Sequence, residues 1–232
     1  QMNTRFALEP LGEDAFLLRF GTGIDAATNA RVHACAGVLE QHRPSWLIEI
    51  VPAFATLAVQ VDLNLLAQDE GWRERVQALL LAHADGEDAD ATPAPATVHT
   101  LPVRYGGEFG PDLDAVARHA GLGPEEVIRR HCAARYQVGM LGFAAGFPYL
   151  IGLHESLITP RHATPRTEVM AGSVGIGGEQ TGIYPRTGPG GWQIIGRTDA
   201  RLFDVQREPP ALLAAGDVVV FRAVDEYGKP LA

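Results

Sequence analysis

Twenty of the chain's 26 glycines lie in residues 96–232, and only six in residues 1–95. Each glycine inside a helix costs about 1 kcal/mol relative to alanine, so a glycine-dense stretch is poor helix material. It is well suited to turns, bulges and close strand packing. The 232-residue chain therefore has two parts of different build. Between them runs Asp85-Gly86-Glu87-Asp88-Ala89-Asp90-Ala91-Thr92-Pro93-Ala94-Pro95, acidic and then Ala/Pro-rich, with no large apolar residue. This composition predicts an exposed linker over 85–96 joining a domain at 1–84 to one at 97–232. No internal repeat is present.

The first part reads as mixed α and β. Thr4–Pro10 and Ala15–Phe20 flank Gly12-Glu13-Asp14, a hairpin signal. Ile24–Gln41 is rich in alanine and poor in β-branched residues, which favours helix. Trp46–Val51 and Thr56–Val61 alternate in part and read as strands, and Leu63–Ala82 carries apolar residues near helical spacing, with Gly71 as a possible break. The order ββαββα predicts an antiparallel sheet with both helices on one face. The second part opens with a strand, Thr97–Tyr105, and two short helices, Asp112–Ala120 and Glu125–Ala134, the latter after a first-turn proline, Pro124. From Tyr136 onward no helix is indicated. Short apolar stretches lie between glycines and prolines: Val169–Ile176, Thr181–Tyr184, Trp192–Ile195, Leu202–Val205 and Val218–Ala223. They argue for a closed β-barrel or sandwich, with Val218–Ala223 as the final strand.

Charge removes several functions. The formal net charge is −9, against a general polyanion binder, so no nucleic-acid partner is expected. The cations are 18 arginines and one lysine, Lys229. No lysine is available for a P-loop, a Schiff-base lysine is not expected, and phosphate or carboxylate would be handled by guanidinium forks or backbone amides. The longest aliphatic run, Ala78–Ala82, is far short of the ~20 residues that span a bilayer, and no basic segment precedes an apolar one at the start. Neither a membrane nor a signal peptide is expected. Cys35 and Cys132 form no CxxC, which excludes a zinc knuckle and a thioredoxin motif and suits a reduced, cytoplasmic chain.

Ala171-Gly172-Ser173-Val174-Gly175 resembles a nucleophile elbow, but no helix follows and no histidine lies downstream of Ser173. No G-x-G-x-x-G opens a helix, although amides around Gly175–Gly178 or Gly188–Gly191 could form an anion nest. H-E-x-x-H is absent, since His154-Glu155 lacks the second histidine, and no metal site is assigned. The densest polar group is Arg161, His162, Arg166, Gln180, Tyr184, Arg186 and Arg197. Arg161 and Arg166 each follow a proline, which stiffens their presentation. Bidentate arginine suits carboxylate or phosphate. Equally, these could be surface arginines paired with Glu155, Glu168, Glu179 and Asp199. Phe143, Phe147, Tyr149, Tyr184 and Trp192 are core aromatics by default, with an exposed subset able to line a pocket or grip a partner.

Gly142-Phe143-Ala144-Ala145-Gly146-Phe147-Pro148-Tyr149-Leu150 resembles the GFxPGFPYL signature of the family formed by the B subunits of 5-oxoprolinase, which also holds kinase inhibitors of the KipI type and proteins labelled allophanate hydrolase subunit 1. Thr164-Pro165-Arg166, Ala171–Ile176, Gln180–Pro185, Pro189–Thr198 and Tyr105–Leu113 fit its TPR, AGSVGI, QTGIYP, PGGWxxIGRT and YGGEFGPDL segments. Ala145 and Met170 stand where the family usually has proline.

The resemblance implies an α+β N-terminal domain followed by a mainly-β, cyclophilin-like barrel. It also implies a carboxyltransferase-type C subunit as partner and a similarity of the pair to the carboxyltransferase portion of urea carboxylase. With an A subunit, such a complex opens 5-oxo-L-proline to L-glutamate at the expense of ATP, with magnesium accompanying the nucleotide. On this reading the chain is one component of a multi-chain enzyme, inactive alone. Arg161, Arg166, Arg186 and Arg197 supply cationic donors, Gln180 and Tyr184 bond the substrate beside Phe147, and His131 or His162 moves a proton. Two alternatives come with the family. One is a module docking on the helical dimerisation domain of a sensor histidine kinase. The other is a partner in a carboxyltransferase acting on urea or other amides, with any biotin carried by another chain.

Overall fold

A computed structural model describes residues 6–66, 68–85, 96–225 and 227–231. These fall into two compact units, one within 1–95 and one within 96–232. Residues 86–95 of the expected linker lie outside the described residues. No helix among the described residues is long and apolar enough to cross a membrane.

The first unit runs β1 (Ala7–Leu11), β2 (Ala15–Arg19), α1 (Ala26–Gln41), β3 (Leu47–Pro52), β4 (Thr56–Val61), α2 (Leu63–Leu66) and α3 (Trp72–Asp85). Its sheet is antiparallel in the order β1-β2-β4-β3. Pro10, which has no N–H to give a ladder, sits on edge strand β1. Strict alternation on β2 and β4 turns Phe16, Leu18, Leu57, Val59 and Val61 to one buried face, where they meet Val32, Cys35 and Leu39 of α1 and Val76 and Leu80 of α3. Asp25 caps α1 by accepting the Thr28 N–H at 2.8 Å. The helical stretch Leu63–Ala82, with its possible break at Gly71, forms two helices: Asp69 folds back to accept the Gly71 N–H and turns the chain before α3.

The second unit comprises β5 (Val98–Tyr105), α4 (Leu113–Ala120), α5 (Pro124–Ala133), β6 (Tyr136–Leu141), β7 (Pro148–Ile151), β8 (Arg166–Val169), β9 (Ser173–Gly177), β10 (Gln180–Ile183), β11 (Gly188–Gly190), β12 (Gln193–Arg197) and β13 (Val218–Ala223). Seven strands close a barrel in the order β10-β7-β6-β13-β5-β12-β9, while β8 and β11 form a separate ribbon. The first and last barrel strands, β5 and β13, pair in parallel from Val218↔Val98 to Ala223↔Val103. Val103, Tyr136, Val138, Leu150, Val174, Ile176, Ile195 and Phe221 fill the interior, joined by Val116 and Ala117 of α4 and Val127 of α5.

Two expectations need correction. Val169–Ile176 is not one strand: β8 and β9 are separated by a turn in which Gly172 adopts φ +80°. Leu202–Val205 is no strand; it makes a single bridge, Phe203↔Ala211, and Val205 is 82% exposed. Its apolar residues cap the barrel from a loop, since Leu202 belongs to the core.

Candidate functional site

The site is built on the outer surface of the barrel. Strand alternation sends Thr181 inward, so Gln180 and Gly182 face out. A Cβ at Gly177, Gly182 or Gly175 would stand 2.7, 3.0 or 3.1 Å from atoms of Trp192. These glycines form a flat floor on which the Trp192 side chain lies, and the guanidinium of Arg161 covers that indole 5.4 Å from the ring centroid. Phe147 anchors the edge, with Phe143, Tyr149, Tyr184 and Trp192 packed around it at 4.9–5.5 Å. Burial raises the pKa of Tyr149 and Tyr184, opposed by the positive charge of Arg161 facing both.

The segment carrying Arg161 is tied down by Asp112. The side chain of Asp112 is only 8% exposed and accepts Arg166 through both oxygens, at 2.7 and 2.8 Å, and the Ile194 N–H at 2.6 Å. Burial alone would raise this carboxyl's pKa, but the bonds from Arg166, Ile194 and His162 outweigh it and hold it below the ordinary aspartate range. Asp112 stands at the N-cap of α4 yet makes no side-chain cap bond, since its oxygens are engaged elsewhere. His162 Nε2 lies 3.2 Å from Asp112 and 2.9 Å from Arg166 Nη1. One nitrogen cannot both donate to the carboxylate and accept from the guanidinium, so its protonation chooses between the two. Beside it a cleft of about 340 Å³ is lined by Arg161, His162, His119 and Gln193. Gln193 donates to Pro160 O at 2.9 Å, and its Oε1 is buried without a partner among the described residues.

The residues picked from sequence thus separate into groups. Arg161, His162, Arg166, Tyr184 and Phe147 come together with Trp192. Gln180 is buried on the same face of β10, its Nε2 without a partner among the described residues. Arg186 is exposed and borders a neighbouring hollow of about 120 Å³ with Phe143 and Tyr184. None of Arg161, Arg186 or Arg197 pairs with Glu155, Glu168 or Glu179 among the described residues; Asp199 instead pairs with Arg104. Arg197 does not join the group, because it leaves the far end of β12 and stacks on Phe109 at 4.7 Å.

His131 is the clearest correction. It is fully buried inside the barrel, stacked 4.7 Å from Phe221. Thr181 donates its hydroxyl to Gly175 O at 2.9 Å, so it accepts from His131 Nε2 at 3.0 Å, and His131 Nδ1 accepts from Tyr105 at 2.8 Å. Every polar atom of the neutral ring is satisfied, and desolvation pushes its pKa down to about 3. His131 therefore holds the barrel together and is not placed to carry protons for a surface ligand. In a pH titration followed by NMR, its ring resonances should stay fixed between pH 5 and 8. The unfolded chain binds a proton there near pH 6.5 while the folded one does not, so stability should decline as pH falls below 6.5. A ring titrating near pH 6.5 in the folded chain would contradict this.

Asp112, Gln193 and the platform role of Trp192 were missed in the sequence. Asp112 sits in Gly110-Pro111-Asp112 before a helix, which signals a cap and hides its bond to a residue 54 positions away.

The family described as "Carboxyltransferase domain, subdomain C and D" matches residues 6–213. The chain is 42% identical to the B subunit of 5-oxoprolinase from Bacillus subtilis (strain 168), covering 97% of this chain and 95% of that protein. The solved structure of TTHA0988 is similar with TM-score 0.78 at 36% identity, over 93% of this chain but only 41% of that longer one. The K. lactis urea amidolyase shares the fold, with TM-score 0.72 at 20% identity over 96% of this chain and 15% of that protein. Matched over most of its length by the family's pattern and nearly end to end by the Bacillus subtilis relative, the chain belongs to the carboxyltransferase family of subdomains C and D.

Proposed function

We propose that this chain is the B subunit of an ATP-dependent 5-oxoprolinase that, with a carboxyltransferase-like C subunit and an A subunit, opens 5-oxo-L-proline to L-glutamate in the cytoplasm. The observation that carries the reading is the nearly end-to-end similarity to the B subunit of the Bacillus subtilis 5-oxoprolinase. A lactam is resonance-stabilised and reacts poorly with water. Transfer of the ATP γ-phosphoryl group to the lactam oxygen makes C5 electrophilic. Water then adds at C5, the ring C–N bond breaks as the nitrogen takes up a proton, and the acyl phosphate so formed is hydrolysed by a second water to L-glutamate and inorganic phosphate.

This chain's part is to hold anionic oxygen and move a proton. Arg161, pinned on Trp192 with no ion pair among the described residues, neutralises carboxylate or phosphoryl charge. Gln193, which lines the cleft beside Arg161, is the amide placed to bond a lactam, with Gln180 on the outward face of β10 as the second. His162, with Nε2 steered by Asp112 and Arg166 and Nδ1 unengaged among the described residues, is the proton carrier. Arg166 positions the segment, and Arg186 extends the cationic edge. On this reading magnesium accompanies the nucleotide phosphates. Phe143 favours a second role in docking: it is 66% exposed and holds φ +65°, a conformation unfavourable for a non-glycine residue. That loop is the surface we assign to the C subunit or, in the alternative reading, to a histidine kinase.

The test is co-expression with the cognate A and C subunits and assay of ATP-dependent glutamate release. The assembled complex should turn over and the isolated chain should not. Arg161→Gln should reduce turnover about 10- to 100-fold, the worth of one charge-assisted hydrogen bond. An assembled complex with no release rejects the proposal, as does full turnover by the isolated chain.

A further inference from the structure

We propose a second anion-binding site on the barrel, formed by Arg104 and Arg197 around Phe109 and taking a small phosphate or carboxylate. It does not rest on the 5-oxoprolinase reading. In the antiparallel pairing of β12 with β5, Arg197 lies directly opposite Arg104. Like charges in that position repel, an arrangement that destabilises a sheet unless something intervenes. Both guanidiniums converge on one ring, their central carbons 4.5 and 4.7 Å from the Phe109 centroid. Phe109 neutralises neither charge. Its quadrupole attracts both cations and holds them close.

The carboxylate supply is short by one. Asp199 pairs with Arg104, and its side chain is 81% exposed. Arg197 has no ion pair and no hydrogen bond among the described residues. Two cations therefore share one solvent-facing carboxylate, beside a cavity of about 230 Å³ lined by Pro102, Arg104, Arg197, Asp199, Val224 and Tyr227. Pro102 and Arg104 alternate with the inward-facing Leu101 and Val103, so this cavity lies on the outer surface of β5. It is separate from the Arg161 cleft, since Gln193 and Arg197 stand at opposite ends of β12, about 13 Å apart at strand rise.

The geometry selects the ligand. A guanidinium presents paired N–H groups in a plane that match two oxygens of a carboxylate or phosphate. An oxyanion between the two forks turns a repulsive strand pair into a bridged one. Pro102 and Val224 add an apolar wall for a short organic group. The cavity suits a phosphate ester or organic acid and is too small for a whole nucleotide.

The experiment titrates the full chain at low ionic strength with inorganic phosphate and, separately, with acetate. It is read by NMR at the backbone amides of Phe109 and Gly110. At least one anion should bind saturably with Kd of about 1 mM, and the tighter of the two identifies the source. Arg197→Gln should weaken it by about tenfold or more. Arg197→Lys keeps the charge but loses the fork, and should fall between. Asp199→Asn removes the competing carboxylate and should tighten binding, a gain that no unfolded variant could mimic. The proposal is overturned if neither anion saturates these amides, if binding survives Arg197→Gln unchanged, or if Asp199→Asn weakens it.

Discussion

Replacing Gly110 by alanine should destabilise the barrel by about 4 kcal/mol or more. A Cβ there would stand 2.0 Å from the carbonyl oxygen of Ile195 and 2.7 Å from the Gly106 nitrogen, both backbone atoms. Neither can retreat. Gly106 N–H donates to that same Ile195 oxygen at 3.1 Å, Gly110 N–H donates to Gly106 O at 2.9 Å, and Asp112 N–H donates to Ile194 O at 2.9 Å. The loop is laced onto β12, and β12 is locked between β5 and β9. Relief requires breaking several of these bonds, at about 4 kcal/mol or more, a large share of the 5–15 kcal/mol that a domain has in reserve. The same loop supplies its own control. A Cβ at Gly107 meets nothing within 4 Å, so Gly107→Ala faces only its φ of +53°, about 1–2 kcal/mol. Chemical denaturation of the two variants should separate them widely. Equal midpoints would show that the loop yields easily, and that the approach of residues 106–112 to β12 does not shape the site.

The contrast between those two glycines also marks how far the sequence could be read. A motif rich in glycine announces close packing without saying which glycine is close to what. The first unit was largely legible, because the alternation on Thr56–Val61 and the alanine-rich, β-branch-poor run Ile24–Gln41 are local signals with local causes. The barrel was legible as a class, but its closure depends on β5 meeting β13, a pairing of residues 120 positions apart such as Val98 and Val218. No local pattern encodes such a contact. Leu202–Val205 misled because an apolar run serves equally as a strand or as a loop cap. Arg161, His162, Arg166, Tyr184 and Phe147 could be named from residue type and crowding. What each would do could not, since Arg166 finds its carboxylate in the distant Asp112, and His131 is disqualified only by burial. Arg197 belonged to the same motif as Trp192, yet a few residues of extended chain carried it to another part of the surface.

Asp112→Asn should lower stability at neutral pH by about 2–3 kcal/mol, and this deficit should shrink as the solution is made acid. The change keeps the shape of the side chain and an acceptor for Ile194, but removes the charge that faces Arg166 and His162. Breaking one partner of a buried pair costs about 3–5 kcal/mol. The expected loss lies at or just below the bottom of that range because the Arg166 side chain is 34% exposed and regains water. The folded carboxyl titrates below its ordinary value of 3.8, so on acidification the unfolded chain takes up a proton first. The contribution of Asp112 is thus complete above that ordinary value and is lost as pH falls through the depressed folded-state pKa. Taking the difference between Asp112→Asn and the parent chain at each pH removes the acid sensitivity that both inherit from His131. Arg166→Lys should reproduce part of the loss at neutral pH, because the charge remains while the planar two-point grip on the carboxylate does not. A deficit that stays constant from pH 7 to pH 3 would mean that Asp112 acts through shape alone. In that case the electrostatic tie between α4 and the segment carrying Arg161 would have to be abandoned.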